Sequence, residues 1–154
     1  MASNISQDLI WEVTRGYNAM MVKRKQAGGV QFSRDPLNLR NVHSRKQAGF
    51  VNDKAIGIQP GEKGGVKFMT KKAGKANKPA SSLQTTTLGS STSTRKTYRS
   101  IVNSTAKHNY RPDLRADAVA RASAIRKTQK PVKPDPPSKP RGARARKATE
   151  SESS

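Results

Sequence analysis

The sequence contains no cysteine, and of its 154 residues only one is Trp, three are Tyr and three are Phe. Without cysteine there is no disulfide framework, no thiolate metal site and no cysteine nucleophile, which fits a reducing compartment. No apolar run reaches the ~18 residues that a membrane-spanning helix requires, and residues 1–7 lack the basic and apolar regions of a secretory signal. The expectation is a soluble intracellular chain. Acidic residues are scarce too: 10 Asp and Glu face 31 Lys and Arg, leaving a formal charge of +21. Leu, Ile, Val and Phe together number 24, under 16% of the chain. So little apolar surface under so much unbalanced charge disfavours independent folding. A polyanionic partner answers both deficits, because dense negative charge removes the self-repulsion and converts the cations into affinity.

What apolar content exists is concentrated in the first half, where 16 of those 24 residues lie within 5–72. The fold class expected is therefore α+β, with a small N-terminal domain over residues 1–72 that is marginal alone. Ser6 and Asp8 ahead of Leu9-Ile10-Trp11 predict a capped helical turn, with Trp11 as the anchor of the core. Met20-Met21-Val22 and Val30-Gln31-Phe32 read as short strands around an Ala27-Gly28-Gly29 turn, and Asp35-Pro36 ends the second. The clearest pair is Ala55–Pro60 and Val66–Met69, two apolar runs joined by Gly61-Glu62-Lys63-Gly64-Gly65, which predicts an antiparallel hairpin. That Gly pair is not followed by a helix opening on Gly-Lys-Ser/Thr, so it reads as a turn and not as a phosphate loop.

Residues 73–94 are basic and then Ser/Thr-rich, and read as a linker. Two helices are expected over 95–127. In the first, Tyr98, Ile101, Val102, Thr105 and Ala106 recur at helical steps. In the second, which opens at Arg111-Pro112-Asp113, Leu114, Ala118, Ala122 and Ile125 make the apolar stripe, with Arg115 and Arg126 on one flank and Arg121 on the other. From 128 to 154 the chain is an extended, basic, Pro-rich tail: residues 126–147 hold nine bases and one acid. It ends in a polar segment with Glu150 and Glu152.

No catalytic constellation emerges. His43 and His108 stand in polar surroundings without a second ligand or carboxylate at metal or dyad spacing, the acids are scattered, and no serine sits in a Gly-x-Ser-x-Gly elbow. Neither cofactor, metal nor small-molecule substrate is expected. The cations carry the chemistry instead, since a merely solubilising surface mixes signs and this one does not. A membrane-active cationic peptide is disfavoured because Ala118 and Ala122 supply too weak an apolar helix face.

Several strings carry a resemblance. Asn109-Tyr110-Arg111-Pro112-Asp113-Leu114-Arg115, followed by Ala118, Ala120–Ile125 and Gln129-Lys130-Pro131-Val132, is similar to the C-terminal signature of the eukaryotic large-subunit ribosomal protein family numbered twenty-eight. Leu9–Glu12, Val30–Ser33, Lys54–Ile58 and Lys78-Pro79 extend the match to about residues 8–132, whereas Lys133–Ser154 departs from the family pattern. The resemblance implies a non-enzymatic constituent of the cytosolic ribosome, assembled in the nucleolus. Its partners would be large-subunit ribosomal RNA and neighbouring ribosomal proteins, with no homo-oligomer. The residues expected on RNA are Lys23, Arg24, Arg45, Lys46, Lys71, Lys72, Arg111, Arg115, Arg121, Arg126 and Lys130. Tyr110 stays open between helix packing and base stacking. Two alternatives remain: a nucleolar ribosome-assembly family shares the Leu9-Ile10-Trp11 opening but carries cysteines, and a chromatin protein would share the Lys-Pro tail.

Overall fold

The computed structural model describes residues 5–75, 78–136 and 141–143. Its centre is the expected hairpin, whose strands β3 (Ile56–Pro60) and β4 (Val66–Lys71) pair antiparallel with Ile58 opposite Phe68. Two short strands precede it, β1 (Met21–Lys23) and β2 (Gln31–Ser33), which form a separate antiparallel ribbon around one helical turn, α2 (Gln26–Gly29). α1 (Gln7–Thr14) precedes the ribbon. Two longer helices follow the sheet, α3 (Thr94–Ser104) and α4 (Arg115–Thr128), so the α+β class with strands before helices holds.

One strand lies where a linker is expected. β5 (Leu83–Leu88) pairs along the whole of β4, from Val66 opposite Leu88 to Lys71 opposite Leu83, completing the order β3-β4-β5. Composition hides it, because Gln-Thr-Thr-Thr is polar, yet three consecutive β-branched residues favour an extended backbone. Gly65 closes the turn against it: its φ is +82°, and a Cβ there would stand 2.1 Å from the Leu88 carbonyl oxygen.

The core also differs from expectation. It is shared between the two halves of the chain: Ile56, Ile58, Val66 and Phe68 from one sheet face pack with Ile101 of α3 and with Leu114, Ala118, Ala122 and Ile125 around α4. The alanines are fully buried, and small side chains let α4 lie close to β3. Each fully buried Ile contributes roughly 2–3 kcal/mol relative to exposure. On the opposite sheet face, residues 35–54 form an irregular cover: a Cβ at Gly57 would meet the Pro36 carbonyl oxygen at 2.6 Å. Buried polar side chains bond the main chain of this cover where no ladder can. Asp35 accepts from the Leu37 and Phe50 N–H groups at 2.9 and 3.0 Å, and Asn52 donates to Ala48 O at 2.7 Å.

The N-terminal elements lie outside this core. Ser6 caps α1 as expected, accepting from the Leu9 N–H at 3.2 Å, but α1 buries no residue completely. Trp11 is half-buried and rests on the His43 ring, with centroids 4.9 Å apart, so it is not the core anchor. Leu9, Val13, Tyr17, Val30 and Phe32 are all exposed. The reason is topological: the helices that cover the sheet come from the C-terminal half and leave α1 a peripheral seat. Of the expected extended tail, Gln129–Pro136 and 141–143 are solvent-exposed, whereas 137–140 and 144–154 lie outside the described residues.

Candidate nucleic-acid interface

Several cations expected on RNA are committed to the protein itself. The irregular cover has carbonyl oxygens with no ladder partner, and two basic side chains, Arg111 and Lys71, converge on them, while Arg45 bonds side-chain oxygens beside them. Arg111 donates to Lys46 O and Lys54 O, both at 2.9 Å, and its fork also holds Asp113 at 2.9 Å. Its left-handed backbone, φ +49°, turns the side chain back onto the cover. Lys71 donates to Asn52 O at 2.9 Å and Gly49 O at 3.3 Å. Arg45 bonds Asn52 Oδ1 and the Asp8 carboxylate of α1, the latter at 2.9 Å. Farther along, Arg126 reaches Ser90 O at 3.1 Å and Thr92 O at 2.8 Å, fastening α4 to the loop after β5. Lys23 donates to Gly16 O at 2.7 Å but is otherwise exposed.

Tyr110 is an internal bracket. Its hydroxyl donates to Lys71 O at 2.6 Å and accepts from the Ala55 N–H at 3.1 Å, joining the sheet to the segment before α4. Burial pushes its phenol above the ordinary value, against the pull of the Ala55 hydrogen bond and of Arg111. The Arg111 fork holds the Asp113 carboxyl below the usual range, outweighing partial desolvation.

Arg24, Lys46, Lys72, Arg115 and Lys130 point to solvent, and their side chains make no internal hydrogen bond among the described residues. Arg121 is half-buried, with its Nε shielded and unbonded among the described residues. Arg115 borders a shallow groove of about 480 Å³ between α3 and α4, floored by Tyr98, Val119 and Ala120.

A second groove involves cations that the sequence does not single out. It opens at the hairpin tip, about 390 Å³, between the Gly61–Gly64 turn and Gly89–Ser91, and Lys63 and Lys67 flank it with Glu62. A smaller recess of about 250 Å³ continues from Gly64 and Ser90 to Arg126, Gln129 and Lys130. Gln129 clamps the tip from α4, accepting from the Gly65 N–H at 2.9 Å and donating to Gly65 O at 2.7 Å. A hairpin-tip lysine reads as turn filler in a sequence, and the groove depends on β5, which composition concealed. Backbone polar groups and the Lys63 and Lys67 ammonium groups at an open groove suit a phosphodiester chain, and no three His, Asp or Glu side chains converge for a metal among the described residues.

Comparison with known proteins gives the family. The model of the Ribosomal L28e protein family matches residues 9–128. The chain is 42% identical over 131 residues to the large ribosomal subunit protein eL28 of Schizosaccharomyces pombe, covering 84% of this chain and 97% of that one. It is 37% identical over 130 residues to eL28 of Dictyostelium discoideum, with 82% and 93% covered. The eL28 of Caenorhabditis elegans is 35% identical over 85 residues, 54% of this chain and 64% of that relative. The match spans every strand and helix of the shared core, and the chain belongs to the Ribosomal L28e protein family.

Proposed function

We propose that this chain is a structural constituent of the large subunit of the cytosolic ribosome, assembled in the nucleolus, where its outward cations neutralise phosphates from several ribosomal RNA segments. The observation that carries the proposal is the disposition of charge on a core that lies within the family match. Among the described residues only Arg15, Arg45 and Arg111 pair with carboxylates. Arg24, Lys46, Lys63, Lys72, Arg115 and Lys130 have no such partner and project from different elements, as contact with more than one RNA segment requires. Affinity comes from phosphate neutralisation, and specificity from matching the RNA's shape. Arg45, Lys71, Arg111 and Arg126 serve the interface indirectly, by holding the cover and the groove loop in place; Lys23 divides its ammonium between Gly16 and solvent.

Sedimentation of tagged protein from lysate tests the proposal. Co-migration with large subunits should survive DNase and be lost after RNase. Loss to DNase with survival after RNase would overturn it in favour of a chromatin protein.

A further inference from the structure

The stretch from Pro79 to Thr94 contains no Asp, Glu, Lys, Arg or His, in a chain of which 27% is charged. It holds β5, one of the two edge strands of the three-stranded sheet. The phase of the ladder follows from the Lys72 N–H, which donates to Ser82 O at 2.7 Å. Alternation from that bonded pair gives Gln84, Thr86 and Leu88 to β4 and turns the N–H and C=O groups of Leu83, Thr85 and Thr87 outward. Residues 83–87 are exposed, and among the described residues no internal hydrogen bond is made by those outward groups. Such edges are ordinarily blunted by Lys, Pro or a bulge. This strand has none of them, and its register with β4 is unbroken over six residues.

We infer that the β5 edge is completed in the assembled subunit by an extended segment of a neighbouring protein, which adds a fourth strand; the inference rests on the large-subunit reading above. Strand addition offers a complementary donor and acceptor at every second residue, about 6.8 Å apart. Charge selects the occupant. An RNA backbone laid along the outer edge of β5 would meet no cation of that strand, since Lys63 and Lys67 flank the separate groove at the hairpin tip. A second copy of this chain would bring another +21 against the first. A neutral or acidic protein strand meets neither obstacle.

The test uses the full chain carrying a photoreactive diazirine residue at position 83, 85 or 87, incorporated into large subunits that are purified before irradiation. The expected adducts lie on one peptide of a ribosomal protein and step along it two residues at a time as the probe moves from 83 to 87. Adducts on nucleotides, on a second copy of this chain, or at unrelated sites on several proteins would overturn the inference while leaving the large-subunit reading intact. Failure of the protein to enter large subunits would overturn that reading and the inference with it. Thr85→Pro removes an outward N–H while sparing the β4 ladder, and should lower the adduct yield from position 83 by about tenfold without loss of subunit incorporation. Thr85→Asp combined with Thr87→Asp keeps every main-chain group, disfavours an added strand and repels an acidic one, and should act in the same direction. An undiminished yield in both variants would overturn strand pairing.

Discussion

A guanidinium satisfies carbonyl oxygens as well as it satisfies phosphates, and in this protein the residue's surroundings decide between the two. Arg111 spends its fork on Lys46 O, Lys54 O and Asp113, so Arg111→Ala should lower the unfolding free energy by about 1.5–3 kcal/mol, the range for hydrogen bonds to a charged group. Arg115→Ala, at an exposed site without internal bonds, should stay within about 0.5 kcal/mol of the parent. Denaturant titration of the two variants checks the contrast, and equal stabilities would return Arg111 to the surface. The pair also sets a pH dependence. Because the folded Asp113 carboxyl is held low, mainly by Arg111, its contribution is complete above the ordinary carboxylate value and is lost as pH falls below about 4 through the lowered folded value. Tyr110 has the opposite sign: its phenol is raised from 10.0 by burial, so its contribution is complete below that pH and is lost as pH rises through the folded value. Unfolding followed across both limbs should show each loss, and Arg111→Ala should flatten the acid one; an unchanged acid limb would refute the assignment.

At the scale of elements, α1 is held by polar contacts and one ring pair. Trp11→Ala should cost about 0.5–1.5 kcal/mol, as for an aromatic pair, and not the 3–5 kcal/mol of a fully buried aromatic. A loss in the larger range on thermal or denaturant unfolding would place Trp11 in the core after all. The elements that were legible in the sequence are those whose signal is local. The β3–β4 hairpin announces itself by two apolar runs around glycines, and α4 by Leu114, Ala118, Ala122 and Ile125, all of which are buried. β5 was illegible because its pairing partner, not its polarity, makes it a strand. The shared core was illegible because apolar density counts residues without saying which helix will cover which sheet face. The candidate interface was legible only as charge: spacing alone does not distinguish Arg115, which is exposed, from Arg111, which is turned inward by a left-handed backbone.

For the whole molecule, a single core spanning the sheet and both C-terminal helices supports a surface whose cations outnumber its acids throughout. The core orders the chain, and the proposed function gives the outward cations to polyanions. These roles separate by residue, so binding can be weakened without unfolding. The most direct measurement is the salt dependence of affinity for large-subunit ribosomal RNA, comparing the parent with a variant in which Lys63, Lys67, Arg115 and Lys130 are replaced by Gln. Each phosphate contact contributes about 0.7–0.9 to the slope of log K against log salt. The variant should therefore show a slope shallower by roughly 3 with its melting transition unmoved. An identical slope in parent and variant would contradict the assignment of these four cations to RNA.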